Sequence, residues 1–285
     1  MKALSEGAPF RARRRLGQNF LVDRNILLEI VERSRVRGDV VLEVGPGRGV
    51  LTRELLAAGC ACLHAVELDE RLKDVLEPLR ASDPRLRLIW ADAMKVDCGA
   101  LDPLPGKFVA NIPYSITTPL IWKLLALAPR GLTYHLCMVQ KEAADRLLAP
   151  CDTKARYPLG VTLEAMGSVT LVRGVPPTCF RPVPRVDSAI LEIALTGNFH
   201  LMRSLLWSDL LHASFRQRRK TLVNNLKSFA GIGNWRPLLE EARIQQKIRA
   251  EDLSVEEWLS LYGCLTGSGI SSASDLQNAT AGLVY

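Results

Sequence analysis

The best guide to the fold in this sequence is a short glycine-rich stretch, Glu43-Val44-Gly45-Pro46-Gly47-Arg48-Gly49. It overlaps the end of the apolar run 40–44, which predicts a β-strand, and leads into a predicted helix over 51–58. Glycine is needed where the backbone turns sharply out of a strand and where a ligand approaches the main chain without meeting a Cβ atom. A glycine-rich loop alone is weak evidence, but its place between a strand and a helix predicts a loop that binds a nucleotide-like ligand.

The chain around this loop alternates short apolar strands with helical stretches, which is typical of a parallel sheet covered on both faces. We expect further strands at 62–67, 86–90, 108–110 and 132–139, and helices at 70–80, 119–127 and 142–148. Two β-rich runs follow Pro150, at 168–173 and 188–195. Helical periodicity without a convincing strand then continues over 201–262, which predicts a small helical domain.

Composition narrows the class of protein. The chain has 285 residues, 48% of them hydrophobic, which excludes a disordered or collagen-like chain. Because no apolar run reaches the roughly 18–20 residues of a membrane-spanning helix, and no apolar secretion signal begins the chain, we expect a soluble, intracellular protein. The seven cysteines include no C-x-x-C pair, so we expect buried reduced thiols and no metal site.

The net charge of +7 is concentrated in two segments. Residues 1–37 contain nine Lys and Arg against four acidic residues, and residues 203–249 contain ten against three. A charge run is usually a solvated face, but two such segments around a nearly balanced middle favour a bipartite nucleic-acid footprint. The residues that we expect to contact phosphate are Arg13, Arg14, Arg15, Arg216, Arg218, Arg219 and Lys220.

Acidic residues stand at the ends of three consecutive predicted strands, where open α/β sheets bind their ligands. Glu43 belongs to the first, Glu67 ends the second, and Asp92 follows the third. Glu67 lies about 20 residues beyond the glycine loop, where a carboxylate can accept both ribose hydroxyl protons, and Asp92 can accept from an adenine amino group. These features fit a dinucleotide or an adenosyl ligand. Val50 stands where the dinucleotide fingerprint needs a small residue, which favours the adenosyl ligand.

This constellation resembles the class I S-adenosylmethionine-dependent methyltransferases. The resemblance implies an α/β fold with a Rossmann-like seven-stranded sheet, in which the region 168–195 forms a final antiparallel hairpin, followed by a small C-terminal all-helical domain. It also implies S-adenosylmethionine as the cofactor.

The turn Asn111-Ile112-Pro113-Tyr114 follows the fourth predicted strand. An adenine amino nitrogen is poorly nucleophilic because its lone pair is delocalised, so acceptors on its two N–H groups would favour a more pyramidal nitrogen. The Asn111 side-chain carbonyl and the Ile112 backbone carbonyl suit that role. Pro113 stiffens the turn, and Tyr114 offers a ring on which an extracted base can stack. The alternative is an ordinary turn that ends a strand.

Five motifs in order resemble those of the KsgA-type ribosomal RNA adenine dimethyltransferases. They are Leu16-Gly17-Gln18-Asn19-Phe20-Leu21, the Asn-Ile-Pro-Tyr turn, Gln140-Lys141-Glu142, the proline-rich stretch 180–189 and the basic stretch 215–222. The resemblance implies a catalytic set of Asn111, Ile112, Pro113 and Tyr114, with the ring of Phe180 displayed against the other face of the target adenine. The implied cofactor-binding residues are Gln18, Asn19, Leu21, Glu43, Gly45, Gly47, Gly49, Glu67, Leu68, Asp92, Ala93 and Asn111.

The same resemblance implies a function: dimethylation of two adjacent adenines in the 3'-terminal hairpin of 16S ribosomal RNA, late in 30S subunit assembly. The expected partner is therefore 16S rRNA within a 30S assembly intermediate, and we expect a cytoplasmic monomer without membrane contact. The expected domains are a basic arm (1–15), a cofactor-binding catalytic domain (16–197), a helical RNA-binding domain (198–267) and a disordered tail (268–285).

Two other functions stay open at this point. The protein could act chiefly as an RNA-binding checkpoint factor in ribosome assembly, or it could methylate another RNA adenine, as in the antibiotic-resistance relatives that act on large-subunit RNA. One segment departs from the family pattern, because Tyr157-Pro158-Leu159-Gly160 carries proline where relatives have a flexible glycine. This change leaves the shape of that loop open.

Overall fold

The structure is a computed structural model that describes residues 18–227, 229, 232–268 and 270. The described residues form nine strands: β1 (Phe20–Leu21), β2 (Val40–Val44), β3 (Cys62–Glu67), β4 (Leu86–Trp90), β5 (Lys107–Asn111), β6 (Tyr134–Gln140), β7 (Gly167–Val175), β8 (Phe180–Arg181) and β9 (Ser188–Leu195). They also form these helices: α1 (Arg24–Ser34), α2 (Val50–Ala57), α3 (Lys73–Ser82), α4 (Thr117–Leu125), α5 (Lys141–Leu147), α6 (Pro158–Met166), α7 (Leu205–Phe215), α8 (Leu222–Leu226), α9 (Arg236–Glu241) and α10 (Val255–Gly267).

Seven strands form one sheet in the order β4-β3-β2-β5-β6-β9-β7. The pairs β3–β4, β2–β3, β2–β5 and β5–β6 are parallel, so the carboxyl ends of five strands meet at one edge. All six residues of β3 are buried, as are four of the five in β2, because helices cover both faces of such a sheet. The expected seven-stranded α/β fold with a C-terminal helical part is confirmed.

A second, small sheet pairs β1 with β8 in antiparallel register, with Leu21 opposite Phe180. This pairing ties residues 20–21 to the region that follows β7. A backbone hydrogen bond extends this connection: the N–H of Val22 donates to the Cys179 carbonyl at 2.8 Å. The segment that carries Gln18 and Asn19 is thereby held beside the main sheet.

Residues 158–162 belong to a helix, α6, and not to a loop. Pro158 is the first residue of α6, where its missing N–H costs nothing because the first helical turn has no backbone partner for it. Gly160 lies so close to α5 that an added Cβ would stand 3.2 Å from the Arg146 carbonyl oxygen. Proline therefore begins a helix here, in a segment that the sequence analysis treated as a loop of open shape.

Contacts divide the described chain into two compact units. The first contains the residues up to Lys123 together with Tyr134–Lys141 and Leu171–Glu192, and the second contains Leu124–Thr133, Glu142–Thr170 and the residues from Ile193 onward. In the second unit the indole N–H of Trp207 donates to Thr162 Oγ1 at 3.1 Å, and the rings of Phe215 and Trp258 stack at 5.9 Å. Aromatic side chains thus pack α6, α7 and α10 together.

No helix in the described ranges has both the length and the apolar character needed to cross a membrane. All seven cysteines are free thiols, five of them buried. The expected tail, 268–285, falls on residues of which only 268 and 270 are described.

Candidate active site

A cavity of about 330 Å³ opens at the edge of the sheet where the parallel strands end, and it lies within the first unit. The loops after β2, β3, β4 and β5 line it together with the segment 18–21. These walls bring together fourteen of the residues that the sequence singles out: Gln18, Asn19, Leu21, Glu43, Gly45, Gly47, Glu67, Leu68, Asp92, Ala93, Asn111, Ile112, Pro113 and Tyr114.

The glycine loop has three residues with positive φ, and they serve two purposes. Gly47, at φ +56°, leaves room for the N-terminal segment, because an added Cβ would stand 2.9 Å from Cε1 of Phe20. Gly49, at φ +70°, does not line the cavity. A Cβ on Gly49 would stand 3.0 Å from Cδ2 of Leu76 in α3, so this glycine permits helix packing. The prediction of Gly49 as a cofactor contact is not supported by its position.

Glu67 is held by backbone donors on both carboxylate oxygens. Oε2 accepts from the N–H of Gly47 at 3.1 Å, and Oε1 accepts from the N–H of Asp69 at 2.8 Å. Burial raises the pKa of this carboxyl, against the opposing effect of the two backbone donors. Because each carboxylate oxygen can accept a second hydrogen bond, Glu67 is oriented and still able to accept from a pair of hydroxyl groups.

Glu43 is a buried, protonated carboxyl at neutral pH. Only 1% of the residue is exposed, and burial raises its pKa to about 8 despite the hydrogen bond that Thr52 Oγ1 donates to Oε2 at 2.8 Å. Desolvation disfavours the charged form more than one hydroxyl donor stabilises it. Glu43 therefore contributes a neutral wall to the cavity rather than a fixed charge.

Asp69 fastens the N-terminal segment to the loop after β3. Its Oδ2 accepts from the side-chain amide of Gln18 at 2.8 Å, and the Arg71 guanidinium lies against the same carboxylate. The Arg71 hydrogen bonds hold the pKa of Asp69 down at about 2. Sequence reasoning missed Asp69, since nothing in its local pattern indicates a partner 51 residues earlier.

Lys123 fastens the turn after β4. Its ammonium group donates to the backbone carbonyls of Ala93 and Met94, both at 2.8 Å, while Asp92 Oδ1 accepts from the N–H of Met94 at 2.9 Å. Asp92 and Ala93 therefore line the cavity on a turn that is stabilised by hydrogen bonds from Lys123 and by one of its own. Sequence reasoning missed Lys123 because it lies in α4, where a lysine usually indicates only a solvated helix face.

The Asn-Ile-Pro-Tyr turn is oriented by three hydrogen bonds. The Asn111 side-chain amide donates to the Asn19 carbonyl at 3.2 Å, the Ile112 N–H donates to the Met138 carbonyl at 3.0 Å, and the Tyr114 hydroxyl lies 2.6 Å from Ser188 Oγ. Since the donor end of the Asn111 amide is used internally, its oxygen is the end left for a ligand. Burial raises the pKa of Tyr114, which keeps the phenol neutral.

The expectation of a displayed Phe180 ring was wrong. Phe180 is fully buried, does not line the cavity, and packs in the main hydrophobic cluster with Leu21, Val175 and Ile190. The pairing of β8 with β1 places this residue in the core, so the prolines around it do not expose it.

The basic residues fall into two groups. Arg13, Arg14 and Arg15, like Leu16 and Gly17, lie outside the described residues. Arg216, Arg218, Arg219 and Lys220 lie together on an exposed segment between α7 and α8, in the second unit. None of these four residues is among those that line the cavity.

The strand order and the place of the cavity together define a class of enzyme, the class I methyltransferases. A crystal structure of a dimethyladenosine transferase from Plasmodium falciparum matches the fold with a TM-score of 0.75 and 26% identity, covering 88% of this chain and 98% of that one. The 23S rRNA methyltransferase ErmE matches with a TM-score of 0.65 and 25% identity, over 87% and 100%.

Sequence comparison identifies the family within this class of enzymes. The family model for ribosomal RNA adenine dimethylase matches residues 9–266. Two relatives named ribosomal RNA small subunit methyltransferase A are similar over most of their length: the Acaryochloris marina protein is 38% identical over 88% of this chain and 96% of its own, and the Geobacter metallireducens protein is 39% identical over 92% and 98%. The chain belongs to the ribosomal RNA adenine dimethylase family.

Proposed function

We propose that the protein transfers methyl groups from S-adenosylmethionine to two adjacent adenines in the 3'-terminal hairpin of 16S rRNA, within a 30S assembly intermediate. Family membership and the small-subunit relatives support this proposal. The observation that carries it is the Asn111 amide, whose donor end is bound to Asn19 in the same cavity as Glu67 and Asp92. We also propose that it acts in the cytoplasm as a monomer.

The cavity suits the cofactor's three parts. Glu67 would accept the ribose hydroxyl protons, and the turn at Asp92 and Ala93 would receive the adenine. The segment 18–21, fastened by the Gln18–Asp69 hydrogen bond, would contact the methionine end. Gly45 and Gly47 line the cavity without side chains of their own, so main chain can approach the ligand there. When bound, S-adenosylmethionine supplies an electrophilic methyl group.

The Asn111 oxygen and the Ile112 carbonyl would accept the two N–H groups of the target adenine. These bonds favour a pyramidal nitrogen whose lone pair points toward the methyl donor, so positioning provides most of the catalysis. The amino proton becomes acidic as the nitrogen is methylated, and it can pass to water without a strong base. For the second transfer a single N–H remains, which one of the two acceptors can hold.

Two other outcomes would replace this proposal. The first is a checkpoint factor that binds RNA through the exposed basic segment and methylates nothing. The second is a methyltransferase with a large-subunit target, which the similarity to the 23S rRNA methyltransferase ErmE would favour. Both alternatives predict different products from the same assay.

The test is incubation of the protein with isotope-labelled S-adenosylmethionine and 30S subunits from cells that lack this methylation, in parallel with 50S subunits and with naked 16S rRNA. We expect label in N6,N6-dimethyladenosine at two adjacent positions of the 16S rRNA. Label in 23S rRNA alone would move the target to the large subunit, and no label in any RNA would overturn the assignment of activity.

A further inference from the structure

The four cations between α7 and α8 stand on a short connection, residues 216–220, which we call the basic loop. All five of its residues are exposed, so four cationic side chains can reach a ligand from one short piece of backbone. A hydrogen bond from the N–H of Lys220 to the carbonyl of Gln217, at 2.9 Å, closes a turn inside the loop. The loop needs a further anchor if its charges are to be held in one arrangement.

The anchor is a single side chain, Asn225 in α8. Its Oδ1 accepts from the backbone N–H of Gln217 at 3.2 Å. Its Nδ2 donates to the carbonyls of Ser214, at 2.6 Å, and Gln217, at 3.1 Å. One amide therefore joins the last turn of α7 to Gln217, the second residue of the basic loop.

The helix that carries Asn225 is itself firmly held. Leu222 and Leu226, on either side of it, are fully buried, and the N–H of Leu222 donates to the Ile248 carbonyl at 2.8 Å. Asparagine is a poor helix former because its side chain competes for backbone groups, so its place inside α8 is not explained by helix propensity. Its hydrogen-bonding capacity is used on the backbone of the basic loop instead.

We propose that Asn225 is a positioning residue for RNA binding: it pre-organises the basic loop so that its cations meet phosphates without first ordering the backbone. This inference rests on the proposed function, in which the basic loop contacts rRNA phosphate. Fixing a residue's backbone costs conformational entropy, and a binding surface that is ordered beforehand avoids this cost at the moment of association. Asn225 would thus act through the loop and touch no RNA itself.

The test compares Asn225→Ala with Asn224→Ala in the full chain. Asn224 is the neighbouring, exposed asparagine, and its side-chain amide donates to the hydroxyl of Thr221, the residue before α8, at 2.9 Å. Affinity for a 16S 3'-terminal hairpin RNA is measured at several KCl concentrations, together with affinity for S-adenosylhomocysteine. We expect Asn225→Ala to weaken RNA binding about three- to tenfold, with the slope of log K against log salt unchanged because the cations remain. Asn224→Ala and the S-adenosylhomocysteine affinities should not change.

The double variant Arg218→Ala/Arg219→Ala separates this inference from the proposed function. It should weaken RNA binding and reduce the salt slope by about one to two, since each lost phosphate contact removes close to one counterion. If the double variant has this effect and Asn225→Ala binds RNA like the wild type, the positioning role is overturned and the loop remains an RNA site. If neither variant changes RNA binding, the loop is not the site. A reduced slope for Asn225→Ala would also contradict pre-organisation, because it would mean that contacts are lost.

A second pair of variants covers the case in which Asn225→Ala unfolds. Asn225→Asp keeps an acceptor for the Gln217 N–H and loses the two donated hydrogen bonds, and Asn224→Asp adds the same charge one residue away. A larger loss of RNA affinity in Asn225→Asp than in Asn224→Asp supports the inference, and equal losses overturn it.

Discussion

The cavity and the basic loop present opposite kinds of surface. In the cavity the polar groups are buried or half-buried and bonded to one another, as Glu67 is to two backbone N–H groups and Gln18 is to Asp69. In the basic loop the cations are exposed, and one asparagine holds the backbone beneath them. Under the proposed function, the difference means that a small ligand would be recognised by fixed geometry and a polyanion by charge density. The two regions should therefore respond differently to substitution, to pH and to salt.

The largest effect is expected at the acceptor turn. Asn111→Ala removes the proposed acceptor of the adenine N–H, so turnover should fall at least about 100-fold. The measurement is single-turnover methylation of 30S subunits, with the dissociation constant of S-adenosylhomocysteine measured alongside. That constant should change by less than about threefold. A loss of cofactor affinity as large as the loss of turnover would contradict the role given to Asn111.

The next effect concerns the buried carboxyl of Glu43. Its pKa of about 8 in the folded state lies above its ordinary value of 4.5, so the folded protein binds this proton more tightly than the unfolded protein does. Its contribution to stability is fully present below pH 4.5 and is lost as pH rises to about 8. As pH rises from 4.5 to about 8, the free energy of unfolding of the Glu43→Gln variant should therefore increase by roughly 2–4 kcal/mol relative to that of the wild type.

Urea unfolding of both proteins from pH 5 to pH 9 checks this prediction. A difference between the variant and the wild type that stays constant over this range would show that Glu43 is ionised throughout, contrary to its burial.

Substitutions at two glycines with positive φ distinguish the effect of backbone strain from the effect of crowding by a neighbouring side chain. Gly47→Ala would place a Cβ 2.9 Å from the Phe20 ring, whereas Gly38→Ala, at φ +78°, meets nothing within 4 Å. Both variants should lose about 1–2 kcal/mol of stability, because a side chain is strained in this conformation. Only Gly47→Ala should also lose cofactor affinity, by about tenfold, since crowding shifts the N-terminal segment. Calorimetric titration with S-adenosylhomocysteine measures this, and equal affinities in the two variants would refute the account of the loop.

The smallest effect in the cavity is expected at Lys123. Lys123→Met removes two hydrogen bonds to the turn at Ala93 and Met94, and cofactor affinity should fall about three- to tenfold. Lys95→Met makes the same change of charge at an exposed residue of the same region and serves as the control. If both variants lose affinity equally, the effect is one of overall charge and Lys123 does not position the turn.

The sheet was largely predictable from the sequence because its strands are short apolar runs with clear ends. The bounds of β2, β3, β4 and β9 agree with the predicted strands, and the predicted helix 119–127 begins two residues earlier, at Thr117. Helix α6 was not predicted, since tyrosine, proline and glycine near its start resemble a loop. From the sequence alone, a proline that begins a helix cannot be distinguished from a proline in a loop, because the difference depends on packing.

The lining of the cavity was predictable where a residue stands at or next to the end of its own strand, as Glu67, Asp92 and Asn111 do. Its support was not predictable where a residue acts through a distant partner. Asp69 bonds Gln18, 51 residues away, and Lys123 bonds a carbonyl 30 residues away. Phe180 fails for the same kind of reason. Its motif predicts an exposed ring, but the pairing of β8 with the distant strand β1 places the ring in the core.

The contrast between the two regions is tested most directly by one salt titration that follows both ligands on the wild-type protein. The dissociation constants of S-adenosylhomocysteine and of the 16S hairpin RNA are measured from 50 to 500 mM KCl. We predict a cofactor affinity that changes by less than about twofold and an RNA affinity whose log–log slope is about −3 or steeper, as phosphate contacts from the four cations of the basic loop alone require. An RNA slope near zero, or a cofactor affinity that falls in parallel with that of the RNA, would contradict the division between the cavity and the basic loop.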